Sequence, residues 1–331
     1  MNDYTELNLI TTPSPHLHGP VTTRAIMLDV IVAMLPALAY ATFWFGFRAL
    51  ALTGIAVVAC LLWEALYCLA LRRHQTVGDL SAAVTGVLLA FVCPVDVRWW
   101  QLVIGAFVAI VVVKQLFGGI GKNLLNPALT GGLLVRFCFG ARMDGRDILA
   151  EIDMLAGQPE AVAAAPMSYL KGTDMAAAFH ALTEKYSLAE MFLGKVGGAM
   201  GEVCVLALLA GGIYLLGRRI ISWHIPVGCI AAVAVLALIF PCGDDALQWM
   251  LYSLCGGGLL LGAFFMAADY TTSPVSDGGR LIYGIGCGVL AVLLRHFLTP
   301  ELGVYCAVLV MNCTTPLLDR VIRPIRFGAS D

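Results

Sequence analysis

Apolar blocks recur along almost the whole chain, most of them long enough to cross a bilayer, and this constrains the fold more than any single motif. A spanning helix needs about 20 mostly apolar residues. The sequence offers about ten candidate segments, near 25–46, 50–71, 80–94, 98–117, 127–141, 197–217, 224–241, 247–267, 280–297 and 303–320. Only 13% of the residues are charged, against about 25% in soluble domains, too few to coat a water-facing surface of this size. The expected fold is an all-α polytopic membrane protein, with the lipid bilayer as its surroundings. A formal net charge of −2 gives no reason to expect nucleic-acid binding.

The segment before Ala25 is polar, and no small-residue cleavage site follows the first apolar run, so the N-terminus is expected to stay where it is made. The eleven cysteines include no C-x-x-C pair and read as small hydrophobes rather than metal ligands. Orientation follows from lysine and arginine. With alternating spans and a cytoplasmic N-terminus, Arg24, Arg72, Arg73, Lys114, Lys122, Arg218, Arg219, Arg280, Arg320, Arg323 and Arg326 fall inside, while the short outer loops hold Arg48, Arg98 and Arg295. Both termini are therefore expected in the cytoplasm, and the long segment 142–196 outside.

The chain also looks doubled. In each half a short glycine-rich span, a proline turn, a full span and an Asn-x-Pro-like element follow in order: Ser81 through Pro94 to Asn123 and Asn126-Pro127, then Leu254-Cys-Gly-Gly-Gly through Ser273-Pro274 to Asn312 and Pro316. Five spans per half make the halves inverted repeats, which place binding sites near their pseudo-twofold axis. The expected organisation is an N-terminal segment 1–24, a first five-helix repeat 25–141, an outer loop 142–196, a second repeat 197–320 and a tail 321–331.

Four places invite chemistry. Glu64 lies near the middle of its apolar segment, where a carboxylate costs about 3 kcal/mol to insert; it reads either as an ion or proton relay or as a structural hydrogen bond between helices. Asp29 reads as a solvated helix end. The loop from Lys114 to Thr130 sets Asn123 and Asn126 just before Pro127, a residue suited to a first helical turn. The free N–H groups of a helix start and two amides suit a neutral hydrogen-bonding ligand such as an isoalloxazine ring, or else simply cap the helix. Asp269, among Tyr270, Thr271, Thr272 and Ser273, could hold a cation or a polar ligand edge, or lie exposed in a turn. Gly284-Ile-Gly-Cys-Gly reads as close helix packing, and Trp223-His224-Ile-Pro as an interfacial element.

Lys114-Gln-Leu-Phe-Gly-Gly-Ile-Gly, Asn123-Leu-Leu-Asn-Pro-Ala, Trp223-His224-Ile-Pro, Leu261-Gly-Ala-Phe-Phe followed by Asp269, and Gly279-Arg-Leu-Ile together resemble the D subunit of the Rnf electron-transport complex. They are more distantly similar to the B subunit of the sodium-pumping NADH:quinone oxidoreductase. The resemblance runs from Arg24 to Arg323-Pro. It implies ten helices in two inverted repeats, in the bacterial cytoplasmic membrane, within a machine that moves electrons between ferredoxin and NAD and couples them to sodium or proton transport. It implies partners of the same machine: an FMN-bearing G-like subunit and the iron–sulfur and NAD-binding subunits. It also implies a non-covalent riboflavin near the cytoplasmic side, with Asn123 and Asn126 in its site and Lys122 beside it. If ions are moved, Glu64 or Asp269 is the expected coupling carboxylate. Finally the resemblance implies an FMN esterified to a threonine in the outer loop, in a Ser-x-Ala-Thr-Pro-Leu type motif.

The sequence departs from that last expectation. The matching stretch is Glu160-Ala-Val-Ala-Ala-Ala-Pro-Met-Ser-Tyr-Leu-Lys, which puts Ala165 before Pro166 where the threonine belongs. Ser168 and Thr173 are close but off the motif position. Three explanations stay open: the chain lacks the covalent FMN, it binds FMN without a bond, or a modified threonine between Ala165 and Pro166 is not written among the standard residues. Alternatives from other functional classes are a channel or secondary transporter of inverted-repeat fold, and a scaffold subunit without covalent flavin.

Overall fold

The computed structural model describes residues 22–140, 165–170, 175–243, 245–297 and 300–322. Most of the N-terminal segment, residues 141–164 and 171–174 (Thr173 among them), and the tail from 323 lie outside the described residues. Those described contain helices and no β-strand.

Helix α1, Thr23–Phe45, starts where the Thr22 hydroxyl accepts the Ala25 N–H at 3.3 Å, a side-chain cap for an otherwise unpaired donor. At Gly46 the chain turns directly into α2, Phe47–Ala70. Short helix α3, Ser81–Val92, and α4, Trp99–Gln115, follow. The last two turns of α4, Val108–Gln115, are wound as π-helix. Helix α5, Pro127–Phe139, has proline in its first turn and the Asn126 side chain accepting from Leu129 N–H at 3.2 Å. The segment 142–196 holds helical turns where it is described. It contains a 3₁₀ turn at Pro166–Leu170, α6 at Met175–Lys185 and α7 at Leu188–Leu193. The second half holds α8, Val205–Gly217; α9, His224–Ile239; α10, Ala246–Cys255; α11, Leu259–Met266; α12, Asp277–Phe297; and α13, Gly303–Val321.

Two departures from the expected boundaries have physical reasons. The apolar segment 197–217 becomes helical only at Val205, because residues 199–201 are used to finish α3: Met200 and Gly201 N–H groups donate to the Cys93 and Phe91 carbonyls at 3.1 and 3.0 Å. The segment 247–267 is two helices, α10 and α11, bent by 58°. The bend falls at Gly257 and Gly258, with φ of 63° and 64°, a left-handed backbone that glycine adopts without a Cβ penalty. Among the described residues, by length and composition, only α1, α2 and α12 suffice alone to cross a membrane, with α10 and α11 a fourth span if taken together; α3, α4, α5, α8 and α9 are shorter apolar helices.

In the first half α2 packs on α3 and α4; in the second, α9 packs on α12 and α12 on α13; α1 meets α8 and α5 meets α13 across the halves. The glycines of α12 do what their spacing predicts: a Cβ on Gly284 would lie 2.6 Å from the Ile225 carbonyl oxygen, and one on Gly288 2.5 Å from that of Cys229. Large apolar side chains such as Phe43, Phe47, Leu69 and Phe137 stand exposed along the outside. A water-soluble monomer rarely carries so much exposed apolar surface; lipid accepts it. The protein is an integral membrane protein.

Candidate functional site

Two buried regions hold the residues singled out by sequence, at opposite ends of α3 and α5. One gathers around Ser81 and Asn126, where both helices begin; the other lies near Val92 and Arg136, where both end. The twelve residues of α3 set these ends about 18 Å apart, at about 1.5 Å per residue.

At the first end, Gly118, Gly119 and Gly121 all have positive φ and fold the loop after α4 back on itself. The Gly119 N–H donates to the Lys114 carbonyl at 3.0 Å and the Lys122 N–H to the Gly119 carbonyl at 3.3 Å. This returns Asn123 and Asn126 to a cavity between the two halves. Asn126 is buried; its Oδ1 caps α5 and its Nδ2 donates to the Met266 carbonyl at 3.3 Å. Asn312, of the second half, hydrogen-bonds the Tyr283 hydroxyl, and with its amide turned it accepts the Asn126 backbone N–H at 3.0 Å. Asn123 is also buried, and its Oδ1 has no hydrogen-bond partner.

Lys114, Ser81, Thr85, Asp269 and Thr271 line the same cavity, with Phe264 and Phe265 of the π-wound part of α11. Asp269 accepts twice from Thr271, from the N–H at 3.1 Å and from the hydroxyl at 2.9 Å. It lies in the turn beyond α11, where burial raises its carboxyl above the usual range and the two Thr271 hydrogen bonds oppose the rise. Lys122 is exposed and does not line the cavity; its stem packs beneath Gly118.

Glu64 is fully buried and adjoins the cavity through Lys114. Its Oε1 accepts from Lys114 Nζ at 2.8 Å, Gln115 Nε2 at 2.8 Å and the Thr76 hydroxyl at 2.6 Å, while Oε2 has no partner. Lys114 Nζ also donates to Ser81 Oγ at 2.6 Å, and Ser81 donates to Asp79 at 2.5 Å. Sequence reasoning placed Lys114 among the cytoplasmic cations; it is in fact buried. The available signal was a lone acid in one apolar block and a base closing another, which lipid burial drives together. The π-winding that points Lys114 and Gln115 at Glu64 has no signal of its own. Asp29, read as a solvated helix end, is the seventh residue of α1 and is paired rather than free in solvent: Arg218 Nη2 lies at 3.0 Å and the Tyr214 hydroxyl donates to it at 2.9 Å.

At the other end, Ala165 and Pro166 border a narrow cleft with Met191, Glu202, Gly256 and Glu301. The Ala165 carbonyl accepts from Ser168 N–H at 2.8 Å and from its hydroxyl at 2.6 Å. The Ala165 side chain has no oxygen to esterify, so a threonine-type FMN bond does not fit position 165. Behind the cleft, Arg136 pairs with Glu301 at 2.9 Å and lies 3.8 Å from Glu202, which also accepts from the Tyr305 hydroxyl.

The donor set of the first cavity does fit a planar hydrogen-bonding ligand. Asn123 Oδ1 is a buried acceptor without a donor, which native interiors rarely leave unmatched. The cavity is about 70 Å³, below the 300–1,000 Å³ or so of small-molecule pockets. Tyr270, 46% exposed, stands at its edge.

Residues 10–328 match the family described as NQR2, RnfD, RnfE. The chain is 38% identical over 327 residues, 98% of its length and 97% of the relative's, to the D subunit of the Na(+)-translocating ferredoxin:NAD(+) oxidoreductase complex of Acetobacterium woodii. It is 37% identical over 326 residues, 95% of its length and 94% of the relative's, to the D subunit of the ion-translocating oxidoreductase complex of Ectopseudomonas mendocina. To the D subunit of the proton-translocating ferredoxin:NAD(+) oxidoreductase complex of Clostridium ljungdahlii it is 32% identical over 329 residues, 97% of each chain.

Proposed function

The chain belongs to the NQR2, RnfD, RnfE family, and from that premise we propose that it is a flavin-binding membrane subunit of an ion-translocating ferredoxin:NAD oxidoreductase complex. Its relatives are D subunits of such complexes, so the other subunits, among them an FMN-bearing G-like one and the iron–sulfur and NAD-binding ones, are its proposed partners, in the bacterial cytoplasmic membrane. We further propose ten spans in two inverted repeats, both termini cytoplasmic and the segment 142–196 outside. The contact of Asn126 with Asn312, one from the Asn-x-Pro-like element of each half, supports that symmetry.

The observation that carries the flavin reading is the unpartnered Asn123 Oδ1 in a cavity shared with Asn126, Lys114 and Thr271. A riboflavin-type group bound there supplies one- and two-electron chemistry. The chain's own part is positional and electrostatic. Asn123 accepts a ring N–H, and Asn126 fixes the cavity floor by tying α5 to α11. Lys114 presents a positive charge to any negative charge that develops beside it. That same Lys114 neutralises Glu64, so a change of charge in the cavity alters how tightly Glu64 is held. Glu64 and Asp269 are the proposed ion-handling carboxylates. No step is assigned to an FMN at position 165.

The test is the riboflavin content of the purified complex, separated chromatographically from the FMN of other subunits. Wild type should yield riboflavin on acid precipitation, and Asn123→Leu should lose most of it. Equal release from both would remove Asn123 from the site; none from wild type would favour the transporter or scaffold readings.

A further inference from the structure

The cavity that holds Asn123 is joined to the edge of the protein by a chain of side-chain hydrogen bonds with no part in the binding described above. Lys114 and Ser81 both line that cavity. Lys114 Nζ donates to Ser81 Oγ at 2.6 Å, and the Ser81 hydroxyl donates onward to Asp79 Oδ1 at 2.5 Å. Lys114 is 2% and Ser81 5% exposed, whereas Asp79, in the 3₁₀ turn Val77–Asp79 ahead of α3, is only partly buried. The chain thus runs from a dry interior to a carboxylate at the protein's edge. Leu80, between Asp79 and Ser81, stands at φ 64°, a left-handed backbone that leucine seldom adopts, and this folds Asp79 back over the start of α3.

Each link can carry a proton. An ammonium has three N–H donors, and a hydroxyl both gives and accepts. Lys114 directs one donor to Glu64 Oε1 and one to Ser81 Oγ; among the described residues the third has no acceptor. Both hydrogen bonds that reach the Asp79 carboxylate fall on Oδ1, from the Ser81 N–H at 2.8 Å and from its hydroxyl, which leaves Oδ2 open. Turning the chain into α3 accounts for the bond from the Ser81 N–H. It does not account for a hydroxyl that bridges to a buried lysine 33 positions away.

We propose that Asp79, Ser81 and Lys114 relay protons from water at this end of the bundle to the group reduced in the cavity, an inference that rests on the flavin reading above. When an electron arrives from a one-electron donor such as a reduced iron–sulfur centre, an N–H bond of Lys114 breaks and its proton passes into the cavity. Asp79 takes a proton from water and passes it to Ser81 Oγ, while the Ser81 hydroxyl turns and gives its own to Lys114 Nζ. The three residues regain their starting charges with one proton moved. Glu64 and Cys60 of α2 face Lys114 from the other side, and Asp269 and Tyr270 stand across the cavity. Among the described residues none of these four hydrogen-bonds Asp79 or Ser81, so the path to the edge runs through Ser81.

The test is the rate at which the purified full chain, with its riboflavin, takes up protons when a light flash reduces it through an added deazaflavin, read with a pH-sensitive dye. In wild type, uptake should keep pace with reduction. Asp79→Asn, which keeps the Oδ1 acceptor, should hold its riboflavin and slow uptake by about a hundredfold, the lower end of what a positioned proton donor contributes. A small weak acid such as hydrazoic acid should restore the rate in proportion to its concentration, which a change of packing would not allow. Ser81→Ala should slow uptake likewise, and Ser81→Thr, which keeps the hydroxyl, should not. Uptake at the wild-type rate in flavin-loaded Asp79→Asn or Ser81→Ala, or slowing in Asp79→Asn that the weak acid fails to relieve, would overturn the relay and leave the flavin site standing. A wild-type chain without riboflavin would overturn the flavin site and the relay with it.

Discussion

Glu64 and Lys114 are each intolerable alone in the bundle and acceptable together. Removing one partner of a buried ion pair leaves a charge without compensation, at a cost of about 3–5 kcal/mol, whereas removing both is often neutral. Lys114→Met should therefore lower the thermal midpoint of the purified protein sharply, and Glu64→Gln with Lys114→Met should recover most of the loss. Failure of the double variant to recover would show that the pair does not act as a unit. In reconstituted vesicles, Glu64→Gln alone should impair ion pumping; full pumping would remove Glu64 from the pathway. Much of this site was legible residue by residue. Glu64 stood out because carboxylates are rare in apolar segments, and Asn123 and Asn126 because two amides precede a helix-starting proline. The pairing of Glu64 with Lys114, fifty positions apart in the chain, was not legible, because it depends on helix packing. Lys122, grouped with the asparagines by nearness in sequence, turns away because the glycine turn reverses the chain between it and the cavity.

The bend between α10 and α11 has the strictest demand on residue type. At Gly258 a side chain would need a left-handed backbone and would run into the Tyr305 hydroxyl. Gly258→Ala should therefore destabilise the protein by at least about 1–2 kcal/mol, read as a lower thermal midpoint, and an unchanged midpoint would mean that the bend relaxes freely. At the start of α5, Asn126→Ala removes both a helix cap, worth about 1 kcal/mol, and the tie to Met266; it should reduce stability and riboflavin content together. Helix positions were easy to read, since each apolar block contains helix. The interruptions were harder. Glycine triplets signal a break somewhere, but the 58° bend is set by what packs against it, and π-winding is a tertiary effect with no periodicity to detect. The late start of α8 at Val205 follows from a long-range task, closing the end of α3, that no local pattern in 197–204 encodes.

For the molecule as a whole, the low density of charges and the exposed apolar flanks lead to one conclusion, a bundle whose solvent is lipid. Its two sites differ in what they can hold. The cavity at Asn123 has an unmatched acceptor and a buried cation; the cleft at Ala165 has no hydroxyl in the position where the family resemblance implies an esterified FMN. The intact mass of this chain decides between the readings of that cleft: a mass equal to the sequence mass, with no flavin fluorescence in its band on a denaturing gel, would show that no FMN is bonded here, and an excess equal to an esterified FMN, localised near Ala165-Pro166, would show a modified threonine between them. The most direct test of the central claim is the riboflavin content of purified wild-type and Asn123→Leu complexes. Wild type should hold about one riboflavin per chain, and the variant should lose most of it. Full riboflavin in the variant, or none in the wild type, would contradict a flavin site built on Asn123.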